Sequence, residues 1–209
     1  FKQIEGFAGY GFPESHAASF ALLVYISAWI KFYYPAVFTC SLLNSQPMGF
    51  YAPAQLIRDA REHEVQVFPV DVNLSNWECI LEKTKQKTWG VRLGFKQIIG
   101  FRYTDSVDIV SSRERQYKDI EDLQFKTKLS KSSLLQLAKA NAFNSMKINS
   151  RQGVWIVKGL NTIPIPLFSK INDKSLSLNE ELCALPEISL LEQVSNDYKN
   201  YNFSLNSHP

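Results

Sequence analysis

Residues 17–30 are apolar almost without interruption, with only Ser19 and Ser27 as small polar breaks and Lys31 as the end. Such a run has to be enclosed somewhere. Its fourteen residues fall short of the roughly 18–20 that cross a bilayer, so a helix buried in a protein core is expected, and no membrane partner. Ser15, Ser19, Ser27 and Lys31 fall on one narrow stripe at i+4 spacing, with Leu23 between them, which leaves every other side apolar. The run is entered through Gly9, Gly11, Pro13 and the pair Ser15-His16. The glycines allow positive φ or close backbone approach, Pro13 fixes the entry, and Ser15 is expected to cap the helix. A helix mouth has free amides and the positive end of the macrodipole, so Ser15 and His16 become candidates for facing an anion. The competing reading is a well-capped core helix with no ligand.

The remaining pattern is mainly α with a small β element. Pro35 opens a second helix through Asn44, residues 46–51 form a turn, and Pro53 opens a third helix to about His63. Residues 65–72 alternate and then stall at Pro69, which predicts a short edge strand or extended connector. Residues 77–81 and 88–95 predict two further strands around a Lys-rich hairpin. Short helices follow: residues 106–114 with Asp105 as the cap, 119–125, 131–141 behind Ser130, and 151–158 behind Ser150. Residues 161–186 read as a linker and residues 190–201 as a last helix.

Charge is uneven along the chain. Residues 1–80 carry net −3, residues 81–131 net +5 with twelve basic side chains, and residues 132–209 net +1. The central surplus predicts either a polyanion-facing surface or a solvated lysine face. The three cysteines (Cys40, Cys79, Cys183) are odd in number and far apart, which suggests a reducing compartment and no zinc site. His16, His63 and His208 are scattered without ligand spacing, so no metal site is expected. The carboxylate pairs Asp105 with Asp108, and Glu121 with Asp122, read as solvent-facing helix charges or caps, and no catalytic residue is assigned.

Several blocks carry a resemblance. They are residues 9–21 (GYGFPESHAASFA), 43–51 (LNSQPMGFY), 69–73 (PVDVN), 91–94 (VRLG) and the closing 204–209 (SLNSHP). In this order they resemble the error-prone, damage-inducible branch of the bacterial C-family DNA polymerases, relatives of the replicative polymerase III alpha subunit. The replicative branch usually has Asn-Lys where this chain has Pro13-Glu14, which points to the error-prone branch.

The resemblance implies a fragment of such a polymerase. Residues 1–80 would be the C-terminal part of the fingers domain, and residues 81–160 a small β connector with a helix-hairpin-helix DNA-binding region. Residues 161–209 would be a linker and terminal helix leading to a further C-terminal domain. Phe1 in place of a start methionine fits a piece of something longer. The palm carboxylates would lie outside the chain, so the segment alone is expected to be inactive, with Mg2+ belonging to the complete polymerase. Ser15 and His16 match the family's Ser-His near the incoming nucleotide's triphosphate. Hairpins of this kind bring backbone amides to phosphates through an apolar-Gly-apolar-Gly turn. Here Ile99-Gly100-Phe101 supplies the first half and Arg102 stands at the second small position, while Leu129-Ser130-Lys131 has no glycine and is expected to be structural. Lys96, Gly100, Arg102, Lys128 and Lys131 are the expected DNA contacts. The implied partners are template–primer DNA, a deoxynucleoside triphosphate and other damage-response polymerase factors, in the cytoplasm. The alternative function is a non-catalytic remnant or interaction scaffold from a split polymerase gene.

Overall fold

The computed structural model describes residues 14–160, 185–186 and 188–206. Prolines set its first corners. Helix α1 (Glu14–Tyr33) stops one residue short of Pro35, which opens α2 (Pro35–Asn44), and Pro53 opens α3 (Pro53–Glu62). Proline suits a first helical turn because its φ is already helical and its missing N–H has no intrahelical partner there. A link containing a cis Gln46–Pro47 peptide joins α2 to α3.

Three short strands follow: β1 (Val67–Phe68), β2 (Ile80–Lys83) and β3 (Trp89–Arg92). Their order is β1-β3-β2, with β1 parallel and β2 antiparallel to β3. The expected edge strand is confirmed, since β1 lies at one edge and Pro69 ends it. Gly90 lets β3 approach β1 closely, because a Cβ there would sit 2.6 Å from the Gln66 carbonyl oxygen. The buried faces of the strands join Leu43, Ile57 and Ala60 of α2 and α3 in one core with Val91, Leu93 and Phe95.

The second half is helical: a 3-10 turn (Phe95–Gln97), α4 (Tyr103–Ser111), α5 (Ile120–Thr127), α6 (Lys131–Lys139), a 3-10 turn (Asn144–Met146), α7 (Ser150–Gly159) and α8 (Leu190–Tyr201). Ser130 caps α6 as expected, accepting from the Ser133 amide. α8 docks by its C-terminal end: the Tyr201 hydroxyl donates to the Ala140 carbonyl at 2.6 Å, and the Asn200 carbonyl accepts from the Ile99 amide at 2.9 Å. The expected linker falls mostly on residues 161–184, outside the described residues.

Three expectations are corrected. Residues 17–30 are helical but not buried: Leu22, Leu23, Val24 and Tyr25 are each more than half exposed. Four consecutive helical residues point to all sides, so α1 is uncovered around its circumference. Among the described residues only its end is fastened, by packing against α2 and by the Lys31 ammonium donating to Asp59 of α3 at 2.8 Å. Second, α1 begins at Glu14, which puts Ser15 in the first turn and not at the cap. Third, α4 begins at Tyr103 with Arg102 at the cap, so Asp105 is a buried residue of the first turn, 4% exposed, and not a solvent-facing charge. No single described helix is long and apolar enough to cross a membrane; α1 and α2 reach the threshold only as a pair bent by 120°.

The loop after β1 holds the two halves together. Buried Asp71 accepts the Asn73 amide on one carboxylate oxygen and the Ser145 amide on the other, both at 2.8 Å. Asn73 exchanges hydrogen bonds with the backbone of Tyr117, at 2.7 and 3.1 Å, and donates to the Ser145 hydroxyl at 2.9 Å. Arg113 donates to the Val72 and Ser75 carbonyls and to Asn76 Oδ1. Replacing Asp71 by Ala strands two amide donors, each costing about 1–3 kcal/mol. Chemical denaturation of Asp71→Ala is therefore expected to show a loss of about 2–4 kcal/mol in unfolding free energy.

Candidate nucleic-acid interface

Two helix-turn-helix units lie in the second half, and their turns differ chemically. The first runs from the 3-10 turn through residues 98–102 into α4. Gly100 has φ of +74°, a left-handed conformation that glycine adopts at little cost. The second runs from α5 through residues 128–130 into α6. Lys128 supplies the left-handed residue there, with φ of +54°, and closes α5 by donating its amide to the Gln124 carbonyl at 2.8 Å. A lysine thus fills the role of the glycine absent from the sequence. A polar side chain is carried outward at the turn, against a backbone penalty of about 1–2 kcal/mol.

The turns are adjacent in space. α6 reaches the first unit through two side chains one turn apart. Ser133 donates its hydroxyl to buried Asp105 of α4 at 2.5 Å, and Gln136 donates to the Gly100 carbonyl at 3.3 Å. Asp105 in turn holds Arg102, whose Nη2 lies 3.0 Å from Oδ1. The mouths of α4 and α6 are thereby fastened to each other, and each has amides without intrahelical partners. Arg102 is exposed although ion-paired, and Lys128 is exposed.

The other expected DNA contacts sit differently. The Lys96 ammonium donates to the Asn44 carbonyl at 2.8 Å, and that of Lys131 to the Lys158 and Leu160 carbonyls at 2.7 and 3.1 Å. Both therefore neutralise the carbonyl end of a helix, α2 and α7 respectively. Nor are all the basic residues of the central segment surface charges. The Arg92 guanidinium is buried, pairs with Glu82, donates to the Pro69 carbonyl at 2.8 Å and lies 4.8 Å from the Phe68 ring centre. Burial pushes Arg113 below the usual guanidinium range. Fewer of the twelve basic side chains of residues 81–131 face solvent than their count implies.

His16, in the first turn of α1, is exposed, with its ring 4.4 Å from that of Phe20 one turn further on. Ser15 lies beside it on the backbone. No hydrogen bond among the described residues links His16 to the paired hairpin mouths. A separate cavity of about 390 Å³ lies between α3, β1 and α8, lined in part by Arg61, Val70, Asn141, Asp197 and Tyr201. No hairpin-turn residue lines it. Burial raises the Asp197 carboxyl above its ordinary range, although Ser204 and Asn206 donate hydrogen bonds to it. Sequence reasoning missed Ser133 and Gln136. Their signal was their i, i+3 spacing in a helix whose other face is apolar.

A helix-hairpin-helix motif family matches residues 64–153, which contain both turns. The error-prone DNA polymerase of Brucella abortus biovar 1 (strain 9-941) is 50% identical over the whole chain, which covers 19% of that protein. The error-prone DNA polymerase of Ruegeria pomeroyi is 46% identical over the whole chain and 19% of its own length. The chain is homologous to one fifth of an error-prone DNA polymerase. The same relation holds for Rhodopseudomonas palustris (strain BisB5), whose error-prone polymerase is 44% identical over the whole chain and 20% of its own length. Two of the blocks that carry the resemblance have physical roles in this fold. Asp71 and Asn73 of the PVDVN block form the joint between the halves, and Arg92 of VRLG clamps the sheet edge.

Gly100→Ala separates backbone conformation from space. A Cβ at Gly100 would meet only Gln136 Nε2, at an ordinary 3.5 Å. Thermal or chemical unfolding is expected to show a loss of about 1 kcal/mol, attributable to φ alone.

Proposed function

We propose that this chain is the part of an error-prone, DNA-directed DNA polymerase that holds template–primer duplex and faces the incoming nucleotide. The observation that carries the reading is the pairing of two hairpin turns within the matched helix-hairpin-helix region, each with a left-handed residue at its corner. Such turns expose consecutive amides at a helix mouth, where a phosphate accepts from them without reading sequence. Arg102 and Lys128 flank those amides with exposed positive charge. Binding of this kind is non-specific and dominated by counterion release.

Under this reading residues 1–80 belong to the fingers, residues 81–160 form the connector and hairpin region, and residues 161–209 lead to a further domain. Lys96 and Lys131 support the duplex-holding unit by closing α2 and α7, and Lys131 keeps an exposed flank toward solvent. The exposed circumference of α1 fits a segment that works inside a larger protein, where the rest of the polypeptide covers it. His16 and the first turn of α1 face the triphosphate of the incoming nucleotide. Mg2+ belongs to the chemistry of the complete enzyme. This chain's contribution runs through the hairpin amides and the exposed cations Arg102 and Lys128. The segment by itself is inactive as a polymerase, and the cytoplasm is its expected location.

Duplex affinity should fall steeply with salt, with a log–log slope of about −0.9 for each phosphate neutralised. Lys128→Gly removes one exposed cation while relieving a left-handed lysine. Its unfolding free energy is expected to stay within about 1 kcal/mol of the parent. Its slope is expected to become shallower by about 0.9. Salt-independent binding of the parent chain would remove the duplex-holding role.

In the complete polymerase, His16→Ala is expected to raise the nucleotide KM or lower kcat with little change in stability, because the His16 ring is exposed. Steady-state kinetics with varied nucleotide check this. Unchanged kinetics with a lower melting temperature would reduce His16 to a structural residue of the helix mouth.

A further inference from the structure

Asp105 is a charged side chain where a neutral one would fill the space. Its side chain is 6% exposed and lies behind two helix mouths proposed to bind phosphates, where a negative charge opposes the ligand. Its contacts explain its presence. One oxygen accepts from the Ser133 hydroxyl at 2.5 Å and from Arg102 Nη2 and Nε at 3.2 and 3.3 Å. The other lies 3.0 Å from Arg102 Nη2 and 3.4 Å from the Thr104 hydroxyl. Ser133 is committed to this carboxylate as a donor, so the Ser130 hydroxyl, 2.8 Å away, donates to Ser133 Oγ. Ser130 is also the cap of α6 and accepts from the Ser133 amide at 3.1 Å. A continuous chain of hydrogen bonds thus runs from the exposed Arg102 of the first turn, through Asp105 and Ser133, to the cap of the second.

We propose that Asp105 is a positioning residue that locks Arg102 and the mouth of α6 in one fixed arrangement, so that both hairpins engage a single duplex together. This rests on the duplex-holding reading above. The carboxylate does not touch DNA. It orients the guanidinium that does, and through Ser133 it sets the distance between the two sets of amides. Charge-assisted hydrogen bonds hold such spacing more rigidly than apolar packing, because they fix direction as well as distance. The Gln136 contact to the Gly100 carbonyl is the second tether of the same two units.

The number of phosphates engaged distinguishes positioning from general support of the fold. If the two hairpins bind together, uncoupling them removes the phosphates of one, and each lost phosphate makes the salt slope shallower by about 0.9. Duplex binding by the full 209-residue chain, measured across a salt series for the parent, Asp105→Ala, Asp105→Asn and Ser133→Ala, reads this directly. Asp105→Ala and Ser133→Ala are expected to weaken affinity about tenfold and to flatten the slope by about 1–2. Asp105→Asn, which keeps an acceptor for Ser133 but loses the ionic hold on Arg102, should fall between them and the parent. Should Asp105→Ala fail to fold, Ser133→Ala carries the same prediction, since it cuts the chain at the serine and leaves the Arg102–Asp105 pair in place. An unchanged slope in Ser133→Ala and Asp105→Asn, whatever the change in melting temperature, overturns the positioning role. A parent chain whose duplex binding does not depend on salt overturns the duplex-holding reading and this proposal with it.

Discussion

Both oxygens of the Asp71 carboxylate are occupied by backbone amides, one two residues away in its own loop and one from Ser145, 74 residues further along. That bond ties the sheet to the helices. Beside it the loop after β1 reaches the link between α6 and α7 through Asn73, which donates to the Ser145 hydroxyl at 2.9 Å, and through the Val72 amide, which donates to the Ala142 carbonyl at 2.9 Å. The three strands are too short to be stable alone, and the hairpin helices bury only part of their surface against one another. Each half therefore depends on the joint. Buried hydrogen-bonded carboxylates of this kind add direction to a core that hydrophobic contact alone leaves free to slide.

The functional consequence lies in what the joint presents. It fixes one flank of the helical unit, and α8 fixes another through Tyr201 and Asn200, leaving the mouths of α4 and α6 as the open face. The charged side chains engaged within the protein serve this arrangement. Arg92 and Arg113 hold loops, Lys96 and Lys131 close helix ends, and Asp105 ties the turns together. The surface charge available to a polyanion is confined to a smaller set, among which Arg102 and Lys128 flank the hairpin amides.

Much of this was readable from residue order. Pro35 and Pro53 mark helix starts because their geometry permits little else, Pro69 ends an edge strand, and Ser130 caps α6. The failures have a common origin in partners remote in sequence. The apolar run of residues 17–30 predicts burial, but burial needs a covering surface, and the described chain supplies only α2. Asp105 reads as a cap because capping is local, whereas its buried state depends on Ser133, 28 residues away. Lys96 and Lys131 were legible as cations but not as the closers of helix ends that lie 52 and 27 residues off. Lys128 was legible as a cation but not as a left-handed corner, since that conformation is ordinarily signalled by glycine or asparagine. The resemblance pointed to a helix-hairpin-helix region, which the family match over residues 64–153 supports, and left the coupling of its turns unseen.

The central claim is that two hairpin mouths, held in one arrangement, meet duplex backbone together. Amide hydrogen exchange of the chain with and without duplex DNA at low salt tests it most directly. The account predicts that exchange slows on binding in residues 100–104 and in residues 129–132 at the same DNA concentration, while α3 is unaffected. Protection of neither segment, or of one segment at a DNA concentration where the other is unchanged, would contradict it.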